Sequence, residues 1–231
     1  MSEVQTVAAE VAKVSAPATL VRELEPEFGK VLPAHVGEAR FTRWALTCLR
    51  DPKLCQPVTT SAGKHYPAIL DTDKGRLSVM SALMDCASLG LEPGRTYHLA
   101  PFKGEVSGIV DWKGEIELIS RASPHVSVVA QLVREHDLFA MTAVNVPPQF
   151  APAGGDWFAG VEARGKVAGG FAYAETDGRC SMVVRMTEEE FLRHKAIGGP
   201  VWDEWPEAMR VKTLVHQLRK FVPWSAEKAG A

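Results

Sequence analysis

Hairpin signals alternate with amphipathic helices along this chain, which predicts an α+β fold with hairpins packed against several helices. Three observations carry the prediction. Asp177-Gly178, between two strand-like runs, is the strongest local hairpin signal. Phe102-Lys103-Gly104-Glu105 is a second hairpin tip, with strand candidates Thr96–Pro101 and Val106–Asp111 on its flanks. Apolar residues recur at helical spacing across 34–50, 77–88 and 206–222.

Composition sets outer bounds. The 231 residues are 46% hydrophobic and 23% charged, ordinary for a globular protein, and suffice for one large domain or two intimate ones. The formal net charge of −2 implies no global attraction to nucleic acid or membrane, so any anion site must arise from local clustering. Cys48, Cys55, Cys86 and Cys180 form no C-x-x-C pair and read as free thiols of a reducing compartment. Glu3 and Glu10 stand where a secretory signal would carry a basic start and an apolar run. No stretch approaches the ~20 apolar residues of a membrane span, so a cytoplasmic location is expected.

Residues 1–33, with Pro17, Pro26 and Pro33, read as a loosely ordered arm holding one short helix. Within it Val4, Val7, Val11 and Val14 recur at helical spacing and offer a face to a neighbouring subunit. Residues 34–223 follow as the main domain, and 224–231 as a short tail. Phe41, Trp44, Ala45, Cys48 and Leu49 make one apolar helical stripe that Asp51-Pro52 ends. Arg40, Arg43 and Arg50 lie outside the stripe and read as solvated charge. Three turn-prone clusters mark 56–73 as a surface insertion around Tyr66, Ile69 and Leu70. A helix over Leu77–Ser88 is expected to turn Leu77, Met80, Met84 and Ala87 inward.

The chain is organised around Leu83–Arg121. Leu89-Gly90-Leu91 is a helix stop, with glycine in the left-handed position and Leu91 folding back. Pro93-Gly94 turns the chain into the first hairpin, and Trp112-Lys113-Gly114 opens a short helix. Basic and aromatic residues recur wherever the elements change direction. A protein gripping a charged, base-bearing strand needs that arrangement.

Ser123-Pro124 breaks the short helix, and His125–Arg134 has the β-branched alternation of a strand. Residues 138–170, rich in Pro, Gly and Ala, suggest a long connection with one strand in it. Thr187-Glu188-Glu189-Glu190 is a capping box, which accounts for three adjacent acids without a metal. That helix closes at Gly198-Gly199. The last helix runs from Pro206 to Val222, burying Val211, Leu214, Val215, Leu218 and Val222. Lys212, His216, Arg219 and Lys220 share another face, which serves either solvent or a nucleic acid.

Catalytic motifs are scarce. Gly160–Val167 matches the spacing of a phosphate loop, but Val167 replaces the metal-holding hydroxyl and the residues after it look like strand. The seven histidines show no paired ligand spacing, and there is no G-x-S-x-G elbow.

Several blocks resemble the RecT family of phage single-strand DNA annealing recombinases. They are Leu89–Gly94, Leu99–Phe102, Trp112-Lys113-Gly114 with Ile116, Leu118 and Arg121, and Arg134-Glu135-x-Asp137-x-Phe139. The likeness continues through Met186-Thr187, Gly199-Pro200-x-Trp202, and Glu207 to Pro223 by way of Met209, Lys212, Thr213, Leu218 and Lys220. It covers roughly 36–223 in the same order. The resemblance implies a RecT/Red-beta-like annealing fold: a small antiparallel sheet with helices, holding an extended, unwound duplex in a positively lined groove. It further implies a non-enzyme that binds single-stranded DNA without cofactor, metal or nucleotide and anneals complementary strands in phage-type recombination. Self-assembly into rings or helical filaments is implied too, beside a phage exonuclease and host single-strand-binding protein. The competing class is a metal-dependent nucleic-acid-processing enzyme.

Annealing requires backbone phosphates held by cations while base edges stay free. Flat side chains can support extended strands without reading sequence. The phosphate candidates are Lys103 at the hairpin tip, Lys113 and Arg121 on the short helix, and Lys212, Arg219 and Lys220 on the last helix. His216 joins them near neutral pH and below. The aromatic candidates are Phe102 and Trp112; Trp112 reads equally as a core anchor. Glu117 is a prospective partner of Lys113 on the same helix. Compared with the family, the 56–73 insertion is long, His216-Gln217 stand where relatives are basic, and the segment after Pro223 is short.

Overall fold

The structure is a computed structural model that describes residues 3–60, 63–123, 125–197, 199 and 201–228, with backbone only for residues 3–16. The expected breaks at Pro124 and Gly198, the Pro200 of the family-like block, and the side chains of Val4, Val7, Val11 and Val14 lie outside the described part. Two compact units divide the chain: residues up to 114 with the segment from 226, and residues 115–225.

The first unit opens with α1 (Glu3–Val31), α2 (Glu38–Cys48) and the single turn α3 (Pro52–Cys55). The two-residue strands β1 (Val58–Thr59) and β2 (His65–Tyr66) pair antiparallel ahead of α4 (Asp73–Ser88). The hairpin β3 (Tyr97–Phe102) and β4 (Glu105–Val110) completes it. Where the prolines predict a short helix in a loose arm, α1 is 29 residues long and contains Pro17 and Pro26. Each interior proline costs a helix about 3 kcal/mol. Leu20, Val21, Leu24 and Phe28 are buried, and α1 packs on α2 and α4. Four such side chains at roughly 1.5–3 kcal/mol each outweigh the two prolines. The Phe28 ring meets Phe41 of α2 edge-on at 4.9 Å.

Of the four residues expected to face inward from helix α4, Ala87 alone is buried. Gly75, Val79, Ala82, Leu83, Cys86 and Ala87 are buried, while Leu77 is 64% exposed and Met80 and Met84 sit at the margin. The helix is apolar on two sides, so periodicity alone does not choose between them. Small residues decide: a Cβ on Gly75 would sit 2.1 Å from the Ile69 carbonyl oxygen. The helix ends as predicted. Gly90 (φ 60°) donates to the Ala87 carbonyl, Leu91 donates to Cys86, and Leu91 is buried.

Helix α5 (Trp112–Ala122) leads into the second unit. Strands β5 (Val126–Arg134), β6 (Leu138–Ala140) and β7 (Gln149–Ala151) follow, then the turn α6 (Val161–Arg164). β8 (Val167–Thr176), β9 (Arg179–Cys180) and β10 (Val184–Thr187) precede α7 (Glu188–Ile197), α8 (Val201–Glu204) and α9 (Pro206–Leu218). The sheet runs β10-β8-β5, all antiparallel, with β9 also on β8. The fold class is therefore α+β, small antiparallel sheets against several helices, as expected. Asp177 (φ 50°) and Gly178 (φ 74°) make the turn between β8 and β9. The Thr187 amide donates to Glu190 at 2.7 Å and the Glu190 amide to the Thr187 hydroxyl, a complete capping box.

Residues 138–170 hold more structure than one strand. The β6–β7 hairpin lays Phe139 and Phe150 on Phe171 of β8, each 5.4 Å away, covering one sheet face. On the other face α9 packs over β8 and β5, with Leu214 and Leu218 meeting Ala172, Ala174 and Met186. Gly170 lets α9 approach, since a Cβ there would lie 2.8 Å from Leu214. Helix α9 ends at Leu218, and a 3-10 turn over Arg219–Phe221 carries the chain to buried Val222. Among the described residues no helix is long and apolar enough to cross a membrane.

Candidate nucleic-acid interface

The β3–β4 hairpin is anchored from below and exposed at its tip. Ser78 of α4 accepts the Val106 amide at 2.9 Å, and Tyr97 and Val106 are buried. The Tyr97 phenol crosses Gly108 so closely that a Cβ there would sit 1.8 Å from its oxygen. Burial pushes the Tyr97 hydroxyl well above its ordinary pKa, helped by Asp85 and Cys86 nearby. At the tip, Lys103 (φ 52°) and Gly104 (φ 85°) adopt the two left-handed conformations a two-residue turn demands. Phe102 is 64% exposed, with the Lys103 ammonium 4.9 Å from its ring centre. The neighbouring acid Glu105 is paired with Lys74 at 2.6 Å, so the tip presents uncompensated positive charge.

Trp112 and Lys113 begin α5 in the same unit. Asp111 accepts the Lys113 amide at 3.1 Å and lies 3.4 Å from His98. The Lys113 ammonium sits 5.7 Å from the Trp112 ring centre. Gly114 is required here, because a Cβ would fall 2.4 Å from the Thr96 carbonyl oxygen. Trp112 is half-buried and Lys113 exposed.

The second unit holds the remaining candidates. Arg121 is buried and bonded to Glu117 at 2.6 Å. Glu117, the prospective partner of Lys113, is thus occupied by Arg121. The burial has a simple origin: Arg121 follows Leu118 by three residues and shares its inward face. On α9, Lys212 is half-buried and makes no ion pair with a described residue. His216 is exposed, and its Nδ1 lies 2.6 Å from Glu115, a carboxylate only 1% exposed. Arg219 stacks 4.7 Å from the Trp224 ring centre, and Lys220 donates to Gln217 at 2.7 Å. Arg210, on the same helix, is spoken for by Glu188 and the Pro206 carbonyl.

Sequence reading missed two features. Lys64 and Tyr66, inside the supposed insertion, form a cation–ring pair of their own at 5.2 Å. Alternating basic and aromatic residues beside a turn were the available signal. In the second unit, Arg185, Glu190, Arg193, His194 and Gln217 line a polar concavity of about 320 Å³. Gln217 there is the residue that holds Lys220.

The stretch with phosphate-loop spacing has another use. Gly160–Lys166 contains the turn α6 (Val161–Arg164) and Val167 starts a strand, so no helix N-terminus follows Lys166. Arg164 instead forks onto Asp137 at 2.9 and 2.7 Å. Among the described residues no three His, Cys, Asp or Glu side chains are placed to hold a metal ion.

A small-sheet α+β chain of this design, with cations seated on rings at the ends of its elements, matches the RecT family model over residues 59–231, and the chain belongs to that family. It is similar to Protein RecT of Escherichia coli (strain K12), 27% identical over 226 residues that span 88% of this chain and 73% of that relative.

Proposed function

We propose that this protein binds single-stranded DNA and anneals complementary strands in phage-type homologous recombination, without ATP, cofactor or catalysis. The observation that carries the reading is the repeated cation-on-ring pairing at the ends of elements: Lys103 on Phe102, Lys113 on Trp112 and Arg219 on Trp224. A strand needs both parts. The cations meet phosphate, and the ring faces accept any base. Membership of the RecT family and the similarity to Protein RecT support the assignment.

The interface residues are Phe102, Lys103, Trp112, Lys113, Lys212, His216, Arg219 and Lys220, with Arg121 bracing α5 from inside through Glu117. Action as a ring or filament, alongside an exonuclease and a single-strand-binding protein, belongs to the same proposal. The test mixes complementary labelled oligonucleotides with the protein, with and without EDTA and with and without ATP. Annealing faster than spontaneous pairing in all four conditions is expected. No acceleration defeats the proposal, and EDTA-sensitive cleavage or ligation would put a metal-dependent enzyme in its place.

A further inference from the structure

A cleft of about 370 Å³ opens in the first unit between the β1–β2 hairpin and the tip of β3–β4. Its size falls within the roughly 300–1,000 Å³ typical of ligand pockets. Tyr66 and Phe102 contribute its rings, Lys53 and Lys103 its charge, and Gln56 its free amide; none of its lining residues is acidic. The Tyr66 ring lies beside the hairpin tip, where a Cβ built on Gly104 would meet it at an ordinary contact distance of 3.5 Å. Lys64 caps the same ring, adding a cation at the rim. Lys53, Lys64 and Lys103 make no ion pair with described residues, so three positive charges surround an aromatic-walled space.

The geometry points to a nucleobase site: one unpaired base of a bound single strand inserts into this cleft against Tyr66, while Lys53 and Lys103 hold the flanking phosphates. The inference rests on the DNA-binding reading above and deepens it. Ring faces and rim cations suit a flat, uncharged base carried on an anionic backbone. The Gln56 amide offers both a donor and an acceptor, which serves any base edge. Phe102 and Lys103 belong to both the cleft and the exposed tip, so the strand they grip is the strand whose base enters. A base already paired in a duplex cannot enter, so the cleft favours single strands over duplex.

The test compares wild type, Tyr66→Ala and Tyr66→Phe on a thymidine oligonucleotide and on an abasic strand of equal length. Tyr66→Ala is expected to weaken binding of the thymidine strand by about 5- to 150-fold. It should leave the abasic strand unaffected, and Tyr66→Phe, which keeps the ring, should bind like wild type. No loss on thymidine, or an equal loss on both strands, overturns the base site while general DNA binding stands. Free thymidine monophosphate should fail to displace the bound strand; displacement would assign the cleft to mononucleotides and overturn the proposal. Wild type that binds neither strand defeats the DNA-binding reading itself, and the base site with it.

Discussion

Asp137 shows how a single residue can hold an irregular region together. Its side chain is sealed from solvent, where an ionised carboxylate survives only if donors surround it. Arg164 supplies two bonds, and the Arg134 and Ala153 amides one each, at 2.9 and 3.0 Å. The end of β5, the turn after β7 and α6 are thereby tied to one atom group. Arg134 extends the network to the Gly165 carbonyl and to Glu207 of α9. Burial pushes the Asp137 pKa up, but the Arg164 guanidinium and the two amides outweigh it and hold the carboxyl below its ordinary value. A depressed folded pKa has a definite sign. The stabilisation is complete above the unfolded value of about 3.9 and is lost as pH falls through the folded one. Urea melts from pH 7 downward should therefore show an acid-side loss in wild type that shrinks in Asp137→Asn. Asp137→Ala, which strands Arg164, should cost about 3–5 kcal/mol at pH 7. A variant as stable as wild type would remove the clamp from the account.

Elements were legible where local chemistry decides them. Phe41, Ala45 and Leu49 announce the buried stripe of α2, and Asp177-Gly178 and the Thr187–Glu190 box fix a turn and a helix start within four residues. Long-range packing decides the rest. The prolines of α1 argue against a helix that Phe28 and Leu24 nonetheless bury, and the inward face of α4 depends on an approach to Ile69 that only the folded chain reveals. The ring–cation pairs at 102–103 and 112–113 were legible because the partners are adjacent, whereas the cleft joins residues about fifty positions apart. The β3–β4 hairpin offers a sharp test of close packing. Gly108→Ala must displace the Tyr97 phenol and Gly114→Ala must displace the Thr96 carbonyl, so each should lose about 1–3 kcal/mol. Gly160→Ala meets no atom within 4 Å at ordinary backbone angles and should melt within about 0.5 kcal/mol of wild type. Equal melting of all three variants by calorimetry would show that the hairpin tolerates repacking.

At the scale of the whole molecule, the net charge of −2 rules out indiscriminate attraction, so the proposed affinity for DNA requires cations left unpaired at chosen places. Much of the positive charge is already committed: Arg134 to Glu207, Arg164 to Asp137, Arg193 to Glu189 and Arg210 to Glu188. Lys103, Lys113 and Lys212 form no ion pair with a described residue, which leaves their ammonium groups available to phosphate. Counterion release turns this into a measurable slope. On single strands the logarithm of affinity falls with that of salt concentration by about 0.7 per neutralised phosphate. Removing one cation from each unit, as Lys113→Ala with Lys212→Ala, should flatten the slope by about 1.4 and weaken every sequence alike. Because neither side chain is part of a core, the double variant should keep the wild-type melting temperature, which separates lost contact from lost fold. A folded double variant with unchanged slope would mean that neither lysine touches the strand, and the phosphate contacts would have to be sought at Lys53, Lys64 and the Arg185 concavity instead.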